Sequence, residues 1–202
     1  MSSIPWTALF GDRVRVAVQR DGDPSERPGR GRSADFWHAA LEEAVLSSSK
    51  PGSLEITTVP GHAPIAIAGG VPISVSFSVT AGHRACAWSR RLAVGVDLEA
   101  VTPQFENDEV DRMLQTASAD EEVERIRRGL PAVNKHGQLI HLWTAKEAVL
   151  KSLGTGLAHE PRLVALRDIS PSGCWTEVGG IAIDVQWLTG DGWILAAAVR
   201  RE

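Results

Sequence analysis

The chain has 202 residues, enough for one domain of ordinary size or two small ones. With 43% hydrophobic and 23% charged residues it has the balance of a soluble globular protein. Its net charge of -4 argues against a general nucleic-acid binder, which neutralises phosphates with Lys and Arg, and no apolar run approaches the roughly 20 residues that span a bilayer.

The opening Met1-Ser2-Ser3-Ile4-Pro5-Trp6 has no basic stretch leading into an apolar one, so no signal peptide is expected. Arg13 to Gln19 alternates as a strand does, and Asp21 to Ser33, rich in Pro, Gly, Arg and Asp, reads as a solvated loop. Phe36, Ala40, Leu41, Ala44 and Val45 recur at helical spacing over Ala34 to Leu46, and Lys50-Pro51-Gly52 ends that helix. Two or three strands are expected between Leu54 and Trp88, broken at Pro60-Gly61 and Gly69-Gly70. Val94 to Glu99 is a further strand. Glu106 to Gln115 reads as a short helix, and Ser118 three residues before Glu121 is a capping-box signature for a helix over Asp120 to Arg128.

Gln138 to Leu153 carries the strongest helical pattern. Leu139, Leu142, Trp143, Val149, Leu150 and Leu153 form a stripe to bury, and Gly154 supplies a stop. Strands follow near Leu163 to Leu166, Trp175 to Val178, Ile181 to Leu188 and Trp193 to Arg200. Trp175, Trp187 and Trp193 are expected to fill the core there. Cys86 and Cys174, far apart and without metal-ligand spacing, read as two reduced thiols of a cytoplasmic protein.

Laid on itself at an offset of about 110 residues, the chain repeats a pattern. Ile73-Ser74-Val75-Ser76-Phe77 falls on Ile183-Asp184-Val185-Gln186-Trp187, Gly82 on Gly192, Ala87 on Ala197, and Arg90-Arg91 on Arg200-Arg201. Either two hairpins simply look alike, or the chain is α+β with two similar α/β lobes, residues 1–92 and 93–202, related by a pseudo-two-fold.

Alternation puts Asp97 and Glu99 on one face of their strand. Glu147 and Lys151, four apart, share a helix face. Taken alone, these are an exposed ion pair and two solvated surface acids. Taken together, three carboxylates and one lysine are what a hard divalent cation and a phosphate ester require.

Val94-Gly95-Val96-Asp97-Leu98-Glu99, followed by Trp143-Thr144-Ala145-Lys146-Glu147-Ala148-Val149-Leu150-Lys151, resembles the 4'-phosphopantetheinyl transferase signature, and Gly154-Thr155-Gly156-Leu157 resembles its Gly-x-Gly-Leu extension. Length and two-halved organisation are similar to the single-chain, pseudo-dimeric, surfactin-synthetase-activating branch that serves peptide and polyketide synthases. The resemblance implies that fold and a cytoplasmic enzyme of secondary metabolism, acting as a monomer. Its reaction would move the phosphopantetheine arm of coenzyme A to a serine of an acyl or peptidyl carrier protein, leaving 3',5'-ADP. It further implies that Asp97, Glu99 and Glu147 bind Mg²⁺, that Glu147 helps take the proton from the attacking serine, and that Lys151 stabilises charge on the phosphate. Lys146 and Ser78 would lie on the coenzyme A side, with Arg30 and Arg32.

The chain departs from the family on that side. Where the family carries Ser-His-Ser or Ser-His-Thr, Ser78-Val79-Thr80 stands here, and His83 lies four residues on. The first helix offers Glu42 and Glu43 where the family tends to be basic, and His62-Ala63-Pro64 stands for a Lys-Pro. Arg27, Arg30 and Arg32 either supply the missing charge from their loop or belong to a solvated linker. Two other functions therefore stay open: a non-transferring homologue that binds a carrier protein or pantetheine-bearing intermediate, and a Mg²⁺-dependent phosphohydrolase.

Overall fold

A computed structural model describes residues 6–20, 37–38, 41–45, 53–59, 62–80, 82–101, 118, 120–155 and 160–201. The strands divide into two antiparallel sheets. The first contains β1 (Thr7–Leu9), β2 (Val14–Arg20), β3 (Leu54–Thr57), β4 (Ile65–Ala68), β5 (Val71–Thr80) and β6 (His83–Ser89), in the order β1-β2-β6-β5-β4-β3. The second contains β7 (Val94–Ala100), β8 (Arg167–Ser170), β9 (Gly173–Val178), β10 (Ile181–Gly190) and β11 (Trp193–Arg200), in the order β7-β11-β10-β9-β8. Among the described residues, the helices α1 (Asp120–Gly129) and α2 (Lys135–Ser152) lie between β7 and β8 in the chain.

Period-two alternation sets which side chains meet. Val14, Val16, Ala85 and Ala87 of the first sheet pack against Val94, Val96, Leu98, Leu195, Ala197 and Val199 of the second. The other face of the first sheet packs Ala17, Val75, Cys86 and Trp88 around Trp37, Leu41 and Val45, which recur every four residues along the helical stretch described at 37–38 and 41–45. The other face of the second sheet, with Ile194, Ala196 and Ala198, is covered by α2 through Ala145, Ala148 and Val149. The mixing of helices with strands agrees with the sequence expectation at that coarse level. The ten-residue strands β5 and β10 begin 110 residues apart, and each leads through a glycine of positive φ, Gly82 (76°) or Gly192 (78°), into β6 or β11.

Several boundaries differ from expectation. Four strands, not two or three, occupy Leu54 to Ser89, because the Gly69-Gly70 pair turns β4 directly into β5. No strand covers Leu163 to Leu166: a 3-10 turn spans Pro161–Leu163, and the amide of Leu166 donates to the Glu122 carboxylate at 2.6 Å rather than to a strand. Ser118 caps nothing, since its buried hydroxyl has no hydrogen-bond partner. The expected Glu106 to Gln115 helix, the Asp21 to Ser33 loop with Arg27, Arg30 and Arg32, the Lys50-Pro51-Gly52 stop and Gly156-Leu157 lie outside the described residues.

The helix α2 is buried all round rather than along a stripe, including Gln138, His141, Thr144, Lys146, Glu147 and Ser152. Asn134 caps its start by accepting from the Gly137 amide. Its end is a Schellman turn: Gly154 at φ 73° donates to the Lys151 carbonyl and Thr155 to that of Leu150. Trp187 is core, its indole N–H donating to the His141 carbonyl at 3.3 Å. Trp175 is not: it lies half-buried between the Arg167 and Arg201 guanidiniums and donates to Asp168. Trp193 is half-buried beside His83. Both cysteines are free and buried, and burial holds both thiols well above their usual range. Among the described residues no helix is long and apolar enough to cross a membrane.

Candidate active site

The alternation that puts Val94, Val96 and Leu98 against the first sheet turns Gly95, Asp97 and Glu99 to the opposite face, under α2. A side chain at Gly95 would meet the Ala148 carbonyl at 2.0 Å, so glycine is what lets the helix cross β7 this closely. At that crossing Lys151, on the last turn of α2, extends its ammonium to the Asp97 carboxylate at 2.7 Å, the Val96 carbonyl at 3.1 Å and the Ser78 hydroxyl at 3.4 Å.

The strand β5 supplies the third side of the site. Its alternate residues Ser74, Ser76, Ser78 and Thr80 point at the free edge of β7, where their hydroxyls accept from the amides of Val94, Val96, Leu98 and Ala100 at 3.0 to 3.2 Å. The same side chains reach the acids: Ser78 donates to Asp97 at 2.9 Å, and Thr80 to Glu99 at 3.4 Å. Sequence reading missed this ladder, although the alternation of hydroxyls from Ser74 to Thr80 was its signal.

Burial raises the Glu99 carboxyl to about 7; the negative charge of Asp97 adds to the rise, Lys151 and the Thr80 hydrogen bond oppose it, and Glu147 adds a little more. Glu147 is raised by burial first and then by Asp97, against the pull of Lys151. The three acids therefore feel one another across two elements. Two of their buried oxygens, Asp97 Oδ2 and Glu147 Oε1, have no hydrogen-bond partner. Such atoms are costly unless something else satisfies them. The other buried polar side chains of α2 find partners, apart from the carbonyl end of Gln138.

As placed, no three His, Cys, Asp or Glu side chains among the described residues stand close enough together to hold a metal ion. The three acids are thus neighbours rather than a closed cage, with the Lys151 ammonium supplying the positive charge on Asp97. The set still fits Mg²⁺ in its chemistry. All donors are hard oxygens, two are buried and unsatisfied, and Mg²⁺ ordinarily takes one or two carboxylates with waters and phosphate oxygens completing its shell.

Two residues expected to touch coenzyme A are engaged elsewhere. Lys146 is fully buried and ion-paired to Glu122 at 2.7 Å, because its position on α2 faces α1 rather than β7. The Ser78 hydroxyl is committed to Asp97 and to the Leu98 amide. Arg30 and Arg32 lie outside the described residues. Val79 is 36% exposed and presents only methyl groups, while the half-buried His83 packs its ring 6.5 Å from that of Trp193.

Fold and site together define a mixed α/β protein whose acids, one lysine and a run of hydroxyls gather where two antiparallel sheets meet. A family model described as the 4'-phosphopantetheinyl transferase superfamily matches residues 93–198, more than half of the chain. The chain belongs to that superfamily, whose activity is phosphopantetheine transfer. Asp97, Glu99, Glu147 and Lys151 all fall within the matched span. A search among curated proteins gave no match.

Proposed function

We propose that this protein transfers the 4'-phosphopantetheine arm of coenzyme A to a serine hydroxyl of an acyl or peptidyl carrier protein. The observation that carries the reading is the pair of buried, unsatisfied carboxylate oxygens on Asp97 and Glu147, drawn from different elements, beside the Lys151 ammonium. Asp97, Glu99 and Glu147 would hold Mg²⁺, which when bound would neutralise charge on the pyrophosphate. The serine oxygen forms a new bond to the phosphorus that carries the pantetheine arm, and the bond from that phosphorus to the bridging oxygen breaks, releasing 3',5'-ADP. Glu147, with a raised carboxyl and an open Oε1, takes the serine proton. Lys151, held at the crossing by Val96 and Ser78, meets the charge that develops on the phosphate oxygens.

The remainder of the reading follows from the superfamily's pattern. The element correspondence at 110 residues supports two related lobes, residues 1–92 and 93–202, with the site at their junction and a pseudo-two-fold of the single-chain type. A carrier protein as partner and action in the cytoplasm on peptide or polyketide assembly complete the proposal. A second reading, binding of a carrier protein without transfer, is favoured by Val79, since valine offers the nucleotide no donor and no charge, and by Glu42 and Glu43 where a basic helix would suit a nucleotide.

Intact-mass spectrometry separates them. Apo carrier protein, coenzyme A, Mg²⁺ and the wild-type chain should give a carrier heavier by one phosphopantetheine arm, and Glu147→Gln should remove at least 99% of the initial rate. No mass gain over a panel of carriers, with binding retained, selects the second reading.

A further inference from the structure

The end of the first sheet remote from Glu99 carries a cleft of about 770 Å³ lined by Trp6, Gly11, Asp12, Arg13, Arg15, Ala44, Trp88, Arg90 and Arg91. Register fixes its position. Trp88 lies opposite Arg15 on β2 and Val75 on β5, three residues before Ser78 and on the other face of the sheet. The cleft is therefore on the side packed by Trp37, Leu41 and Val45, away from the acids and Lys151.

Its chemistry is the reverse of the acidic site. Among the described residues the lining contains four arginines and one aspartate. Arg13 and Arg90 are braced by main-chain carbonyls, of Phe10 at 3.0 Å and of Val45 at 2.5 Å. Arg15 has an aspartate only at 4.0 Å, with both side chains substantially exposed, a weak pairing that a better anion displaces. Arg91 is exposed at the rim. Trp88 is 8% exposed, and its indole N–H, a donor only, is buried without a hydrogen-bond partner. Trp6 stands edge-on to it, with ring centroids 6.3 Å apart. The wall opposite is the β1–β2 turn, where Phe10 and Asp12, neither a glycine, take φ of 53° and 67°; backbone held in this way concentrates at binding sites.

We infer that this cleft binds a phosphate monoester carrying a flat ring, of the nucleoside monophosphate class, with the phosphate on Arg15 and Arg91 and the ring against Trp6 and Trp88. Guanidinium forks match phosphate oxygens two at a time. The space far exceeds a bare phosphate and falls within the range of sites for drug-sized ligands. The site is separate from the proposed transfer chemistry and stands or falls independently of it.

The test is calorimetric titration of the full chain, free of Mg²⁺, with AMP, adenosine and inorganic phosphate. AMP is expected to bind at least tenfold more tightly than either fragment and to weaken as salt rises. The double variant Arg15→Ala/Arg91→Ala, and Arg91→Ala alone as a milder change at an exposed position, should lower AMP affinity by tenfold or more and by threefold or more. Trp88→Phe, which keeps an aromatic ring and loses the donor, should weaken it severalfold. Lys151→Ala should leave it unchanged. Absence of AMP binding, binding indifferent to both arginines, or binding lost with Lys151 instead would each overturn the assignment. So would an acidic carrier protein that binds through Arg15 and Arg91 while AMP does not, since the cleft would then be a protein-docking surface.

Discussion

Glu99 stands half-buried beside two other acids, and its carboxyl at about 7 has a consequence for stability. The folded value lies above the ordinary 4.5, so between those two pH values the folded chain holds a proton that the unfolded chain releases. The stabilisation is complete below about 4.5 and is lost as pH rises through about 7. Discounted for partial exposure it amounts to about 1–2 kcal/mol. In chelator, the melting temperature of wild type should therefore fall between pH 5 and 8 by several degrees more than that of Glu99→Gln, at about 2–4 °C per kcal/mol for a chain of this size. Parallel wild-type and variant curves in differential scanning calorimetry would show that Glu99 is not raised. That Asp97 and Glu99 share a strand face, and Glu147 and Lys151 a helix face, was legible in the sequence from strand alternation and four-residue helical spacing. Lys146 was misread for the same physical reason: one residue from Glu147 it points about 100° away around the helix, and only the presence of Glu122 behind α2 shows that this direction leads inward.

At the scale of elements, α2 is fixed in rotation by that same ion pair. Glu122 on α1 accepts from Lys146 with one oxygen and from the Leu166 amide with the other, joining α1, α2 and the approach to β8 in one buried contact. Burial lowers the Lys146 ammonium from its usual range, and Glu122 opposes that. Removing one partner strands a buried charge, so Lys146→Met should cost about 3–5 kcal/mol in urea denaturation. The double change Glu122→Gln/Lys146→Met keeps an acceptor for Leu166 and removes both charges, and it should recover all but about 1–2 kcal/mol. Near-wild-type stability of Lys146→Met alone would mean that the pair does not hold the helix. The 18 residues of α2 were legible to within three at the start, from their apolar spacing and Gly154, but burial on every side was not. Nothing in the order of residues reveals that α1, β7, β10 and β11 surround one helix. Leu163 to Leu166 misled in the opposite sense, since two buried side chains, Val164 and Leu166, mimic strand alternation while the backbone bonds to a carboxylate.

For the whole molecule, the junction of the sheets decides where the acids stand. The strand β7 is an edge, and its outward amides would be left unsatisfied, or free to pair with another chain, without the hydroxyls of β5. In the sequence, Ser74, Ser76, Ser78 and Thr80 read as the wet face of an ordinary half-buried strand; the structure dries that face by setting a second sheet edge against it. The hydrophobic pattern cannot foresee this, because hydroxyls that serve water and hydroxyls that serve another backbone are spelled alike. Ser76 tests the difference most cleanly. It is buried, touches no acid among its hydrogen bonds, and accepts from the Val96 amide at 3.0 Å. Ser76→Ala should strand that amide at a cost of about 1–3 kcal/mol. Ser74→Ala, whose half-buried site lets water take the hydroxyl's place, should cost about 1 kcal/mol or less. Hydrogen exchange read residue by residue should show the Val96 amide exchanging at least tenfold faster in Ser76→Ala, while the Gly95 and Asp97 amides, which alternate to the β11 side of β7, stay protected. Unchanged stability together with unchanged exchange at Val96 would mean that the sheets are joined by their apolar faces alone, and that the placement of Asp97 and Glu99 owes nothing to β5.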